Sequence, residues 1–101
     1  MKKIKMPCIK CRLINTNDEF IVVTGPNHSA CYDYLYNAYE MPVRVFPEKY
    51  ECIEGYMCDD DTFVDRFDAM EIAKSAKQVQ RAYDNDNYIS LLSYMLKEDC
   101  Q

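Results

Sequence analysis

Two short stretches carry residues that could do chemistry. In "FVDRFDA", Phe63–Ala69, an arginine follows an aspartate where an alternating segment gives way to one with helical spacing. In "VVTGPNHSA", Val22–Ala30, a threonine and a glycine precede the chain's single histidine, again before a helical run. Backbone amides at a helix start attract anions. Arg66 would add a planar fork suited to phosphate, and Thr24 and His28 would add hydrogen bonds. Lys10 and Arg12 supply positive charge from the first apolar segment. Tyr32, Tyr36, Tyr56 and Phe63 are rings on which a base could stack. Asp65 and Asp68 compete with any anion for the second helix start, and an exposed pair with Arg66 would be worth little.

Hydrolytic chemistry is poorly supported. No G-x-S-x-G, H-E-x-x-H or P-loop pattern occurs. A Cys31–His28 nucleophile pair has no orienting third group in view. The acidic run Asp59, Asp60 and Asp61 reads as a solvated turn, because calcium loops space their ligands and include a glycine.

Six cysteines are present, at 8, 11, 31, 52, 58 and 100. Cys8 and Cys11 form a C-x-x-C, but no second close pair accompanies it. If that segment is a strand, the offset of three puts the two sulfurs on opposite faces. Six free thiols packed as small hydrophobes, and no bound metal, are therefore expected. "MKKIKMPCIK" has a basic start without an apolar run behind it, and no stretch approaches a membrane span. The chain is expected to remain in the cytoplasm, where thiols stay reduced.

The elements that must position these residues follow from periodicity. Cys8–Asn15 and Phe20–Gly25 read as a hairpin around the turn-forming "TNDE". Ser29–Glu40 reads as a helix capped by Asn27 or Ser29, with Ala30, Tyr34, Leu35 and Ala38 on one face. "MPVRVFPEKY" carries two prolines and reads as a loop or short edge segment. Tyr50–Cys58 and "TFVD" make a second hairpin. Asp65 then caps a helix with an Ala69, Ile72, Ala73 and Ala76 stripe. "YISLLSYMLKED" fits a last helix, a last strand or irregular chain, with helix or irregular favoured. The pattern is ββα–ββα, an α+β fold with one antiparallel sheet from two hairpins and both helices on one face. The 101 residues suit a single domain, 1–101.

So small a chain buries only a modest core. Nine tyrosines suit an interface or a stacking surface, so self-association as a dimer or a multiple of dimers is expected. The formal net charge of −5 disfavours a nonspecific grip on nucleic acid. It leaves room for one small anionic ligand, or for an acidic surface that imitates a phosphate track.

The spacing resembles a family of small phage-encoded proteins. Its pattern has a strand ending in T-G-x-x-H, a later glycine–aromatic strand, then F-V-D-R-x-x-A-x-x-I-A-x-x-A-x-Q. The matches here are Thr24, Gly25 and His28; Gly55 and Tyr56; and Phe63, Val64, Asp65, Arg66, Ala69, Ile72, Ala73, Ala76 and Gln78. They extend from about Lys10 to Gln78, most of the chain. Asp61 and Lys77 stand where that pattern has glycine, and the C-terminal part matches poorly. The family resembles the Thoeris anti-defence sponges, which bind cyclic ADP-ribose signals made by bacterial TIR enzymes and hold them intact. The resemblance implies a non-enzymatic, homo-oligomeric nucleotide binder with no cofactor and with pockets near subunit interfaces. Its rivals are an acidic inhibitor of a host defence nuclease (anti-CRISPR or anti-restriction), using Asp59–Asp61, Glu98 and Asp99, and an enzyme that degrades the signal.

Overall fold

The computed structural model describes residues 1–97. The strands are β1 (Ile4–Leu13), β2 (Ile21–Thr24), β3 (Tyr50–Cys58) and β4 (Phe63–Asp65), and the helices are α1 (His28–Tyr39) and α2 (Arg66–Ser75). The hairpins β1–β2 and β3–β4 join through β1 and β3 into an antiparallel sheet of order β2-β1-β3-β4. Both helices pack against this sheet, so the fold is α+β, with the ββα unit used twice.

Alternation along β1 decides what each face holds. Ile9 and Cys11 point to the helix side. They pack with Val23, Leu35, Cys31, Met41 and Val43 in a core under α1. Tyr56 and Cys58 of β3 pack with Ala69, Met70, Ala73, Leu91 and Leu96 in a second core, under α2. The other side of the sheet carries Cys8, Lys10 and Arg12 of β1, facing Gly55, Ile53 and Glu51 of β3. Cys8 and Cys11 therefore lie on opposite faces.

β1 begins at Ile4, earlier than the expected Cys8. A register shift between Ile4 and Met6, followed by Pro7, hides this entry from a pattern of alternation. The buried face of α1 also differs from expectation. Cys31 and Leu35 are buried with Tyr32 beside them, while Tyr34 is exposed. Counting tyrosine as a core residue rotated the expected stripe, and its polar tip is free to stay in water.

Both caps form as read. Asn27 Oδ1 accepts from the Ala30 amide at 2.8 Å, and Asp65 Oδ1 from the Asp68 amide at 2.8 Å. Beyond α2, Gln78 is buried and its side-chain amide pairs twice with the backbone of Ile4, at 2.8 Å each way. It supplies the strand partner that the start of β1 lacks. Residues 79–97 take the irregular alternative, with one bridge between Val79 and Leu96 and a 3-10 turn at Ser93–Met95. Lys74 Nζ holds this segment by donating to the carbonyls of Asn85 and Tyr88, both at 2.8 Å. Glu98, Asp99 and Cys100 lie outside the described residues.

The expectation of six free thiols is corrected. Cys11 and Cys52 are directly opposed across β1 and β3, 4.3 Å apart at Cα, and form a disulfide. Cys8, Cys31 and Cys58 are free and buried. A reducing compartment bears on each thiol singly, whereas this pairing depends on a strand register that brings together two cysteines 41 residues apart.

Candidate functional site

The seven candidate residues divide between the two faces of the sheet. Lys10, Arg12, Thr24 and Phe63 gather on the face without helices. Arg66, His28 and Tyr56 gather on the helix side.

On the open face, Phe63 reaches diagonally from β4 across Gly55. A Cβ at Gly55 would stand 2.6 Å from Phe63 Cζ and 2.2 Å from the Val64 carbonyl oxygen. Glycine is there for room, since its φ is not positive. Lys10 Nζ then lies 4.6 Å from the Phe63 ring centre and 5.8 Å from that of Phe20. The Arg12 guanidinium is 4.2 Å from the Phe20 ring centre. Arg12 is partly committed, with Nε 2.9 Å from Glu51 Oε2 and Nη1 donating to the Asp18 carbonyl. Lys10 has no carboxylate partner among the described residues. Val22 and Ile53, 44% and 38% exposed, surround the cations with apolar surface, and Thr24 adds an exposed hydroxyl at the β2 end. The result is a cation among flat rings, which suits an anion joined to an aromatic base.

The helix side is organised by a residue the sequence did not single out. Glu54 of β3 projects between the starts of α1 and α2. Its Oε2 accepts from the Tyr32 hydroxyl at 2.6 Å. Its Oε1 is 3.5 Å from Arg66 Nη2 and 3.8 Å from His28 Nδ1. His28 Nε2 meets the Gly55 carbonyl at 2.8 Å, so that nitrogen carries a hydrogen and donates it. Arg66 and His28 thus face an internal carboxylate, and Asp65 takes one α2 amide, which weakens both helix starts as sites for an outside anion. Tyr56 is wholly buried against His28, with its hydroxyl donating to the Leu91 carbonyl at 3.1 Å. Its ring offers no free face for a base. Burial, then the bond to Glu54, pushes the Tyr32 hydroxyl well above its ordinary range. Burial does the same to Tyr56.

A Cys31–His28 nucleophile does not assemble. The His28 nitrogens are turned to Gly55 and Glu54, while Cys31 Sγ approaches the Pro7 carbonyl. Burial pushes the Cys31 thiol up to about 11, with Glu54 adding to it. Cys8 is likewise pushed up to about 11 by burial and then by Cys31. The acidic turn is also tied inward. Asp60 pairs with Lys2 at 3.5 Å, Asp61 with Lys5 at 3.7 Å, and Asp59 accepts from the Lys3 amide. Among the described residues, no group of three or more His, Cys, Asp or Glu could hold a metal ion.

The family model described as phage T4 y16D protein matches residues 5–99. The chain belongs to the phage T4 y16D protein family. No curated protein and no solved structure matches it. The match takes in both faces of the sheet and all seven candidate residues, and it bears out the resemblance to small phage proteins. No helix among the described residues is long and apolar enough to cross a membrane.

In this y16D-family chain, Glu54 was legible in one respect only. It is a charged residue at a position that alternation assigns to the core face of β3, in phase with Cys52 and Tyr56. A carboxylate on a buried face needs partners, and that signal in the sequence calls for donors of the kind that Tyr32, His28 and Arg66 supply.

Proposed function

We propose that this phage protein binds a cyclic nucleotide of the cyclic ADP-ribose type and holds it uncleaved, removing a host immune signal. The observation that carries this reading is the open sheet face, where Lys10, without a carboxylate partner among the described residues, stands between Phe20 and Phe63 on the face that also carries Arg12 and Thr24. A pyrophosphate gains charge-assisted hydrogen bonds from Lys10, each worth about 1.5–3 kcal/mol. An adenine gains on the order of 1–3 kcal/mol by stacking on an aromatic ring. The resemblance to Thoeris anti-defence sponges points the same way.

Binding without cleavage is supported by the thiols. Cys8, the thiol on the open face, is buried and pushed up to about 11, so it stays protonated near neutral pH and is a poor attacking group. A second copy of the chain is the natural cover for this face. Val22, Ile53 and the phenylalanines give it apolar surface, and a two-fold partner would shield the ligand from water. Arg66 and His28 become positioning residues in this reading, holding the helix starts through Glu54.

Mass spectrometry of material released by heat tests the proposal. The protein is purified from cells that contain an active TIR signalling enzyme, then heated. Release of an intact cyclic nucleotide supports sequestration. Release of a linear product points to an enzyme, and no nucleotide in any preparation sinks the reading.

A further inference from the structure

A cavity of about 240 Å³ lies on the other side of the sheet, along α1. Its origin is the end of the helix. Glu40 takes a left-handed φ of 56°, and the chain turns back along α1 with Met41 and Val43 buried beneath it. Arg44 fastens this return segment to the first turns of the helix. Its Nη2 donates to the Ser29 carbonyl at 3.0 Å and to Ser29 Oγ at 2.6 Å, while Nη1 donates to Asp33 at 3.2 Å. The guanidinium lies 5.1 Å from the Tyr32 ring centre. A polar clamp therefore spaces the two segments, and the groove between them has an apolar floor.

The lining has one acid and one base, Asp33 and Arg44, which offset each other. Arg44 already spends donors on Ser29 and Asp33, so the groove is poorly suited to an anion. Two groups remain available. The Tyr36 side chain is exposed, and the Asn37 side-chain amide has no partner among the described residues. Both sit on the helix face that borders the cavity. An amide presents a donor beside an acceptor, the pairing with which asparagine reads the edge of adenine. The volume falls below the roughly 300–1,000 Å³ of pockets for drug-sized ligands, which limits the occupant to a single ring system.

We infer that the groove between α1 and the 41–45 segment takes one uncharged planar heteroaromatic ring with adjacent donor and acceptor, of the nucleobase class. Tyr36 stacks on the ring and Asn37 reads its edge. This site is independent of the open face and needs no phosphate.

Adenosine, which has no phosphate, is the probe. In ¹⁵N-labelled protein, its titration is expected to shift the Asn37 side-chain amide saturably. Asn37→Leu and Tyr36→Ala should each weaken binding roughly tenfold, given the strength of base stacking and of paired hydrogen bonds. Both residues are exposed, so unchanged melting temperatures will show that the fold is intact. Lys10→Ala should leave adenosine binding as it was. The inference is overturned if millimolar adenosine gives no saturable shift, if Asn37→Leu binds as wild type does, or if Lys10→Ala abolishes the shift. The last outcome would place the ring on the open face.

Discussion

The Arg66 guanidinium lies 3.5 Å from the Glu54 carboxylate, so the arginine at the start of α2 is answered from within the fold. The same carboxylate accepts from Tyr32 of α1, which makes Glu54 the joint between the two helices. The partners are not equivalent. Glu54→Ala removes the acceptor of the half-buried Tyr32 hydroxyl together with the carboxylate that faces Arg66 and His28, and should cost about 1–3 kcal/mol, the penalty for leaving such a polar group unpaired. Arg66→Ala removes only a partly exposed ion pair and should cost about 1 kcal/mol or less. Urea denaturation of both variants checks the order, and an Arg66→Ala loss equal to that of Glu54→Ala would contradict it.

Lys77 ends α2 in a left-handed conformation, with φ 57°. Its amide reaches Lys74 at 3.1 Å, and that of Gln78 reaches Ala73 at 2.8 Å. This is the Schellman pattern, in which glycine is the usual residue. Lys77→Gly should therefore stabilise the protein by about 0.5–1 kcal/mol, since a side chain in this region costs about 1 kcal/mol or more. A lower urea midpoint in the glycine variant would refute that.

Gly55 makes the opposite case. Its missing side chain lets Phe63 and the Val64 carbonyl close over β3. Gly55→Ala should destabilise by about 3 kcal/mol, the upper end for overpacking, and should displace Phe63 from Lys10. A variant with wild-type stability and an unmoved Phe63 ring would show that the close approach is not required.

Alkaline pH should weaken the fold through its buried thiols. Cys8 and Cys31 are pushed up to about 11, against about 8.5–9 for an ordinary thiol. Above that ordinary value the unfolded chain loses these protons first, so it binds fewer than the native state and stability falls as pH rises. The fall should run from about pH 9 to about pH 11, with Tyr32 and Tyr56 extending it upward. Urea midpoints taken across that range are expected to decline less steeply when Cys8 and Cys31 are both replaced by alanine. An equal decline in both proteins would assign the effect to other groups.

Much of the fold was legible because local chemistry states it directly. Asn27 and Asp65 announce helix starts, "TNDE" announces a turn, and alternation from Tyr50 to Cys58 announces a strand. The patterns around Asp61 and Lys77 carried information too. Both residues occupy left-handed positions, with φ 65° and 57°, where the resembling pattern has glycine. What stayed hidden depends on the pairing of β1 with β3, which no local signal sets. That register brings Cys11 to Cys52. It also decides that Lys10 and Phe63 share a face while Arg66 lies on the other. The candidate residues were mostly charged or aromatic as expected, but their grouping required the sheet.

Calorimetric titration with cyclic ADP-ribose isomers tests the open-face reading most directly. Wild type, Lys10→Ala and Arg66→Ala are compared under one set of conditions. Binding on the open face predicts that wild type binds and that Lys10→Ala binds roughly tenfold more weakly or worse, the equivalent of about 1.5–3 kcal/mol. Arg66→Ala should bind as wild type does. Absence of binding to wild type, or a loss confined to Arg66→Ala, would contradict it.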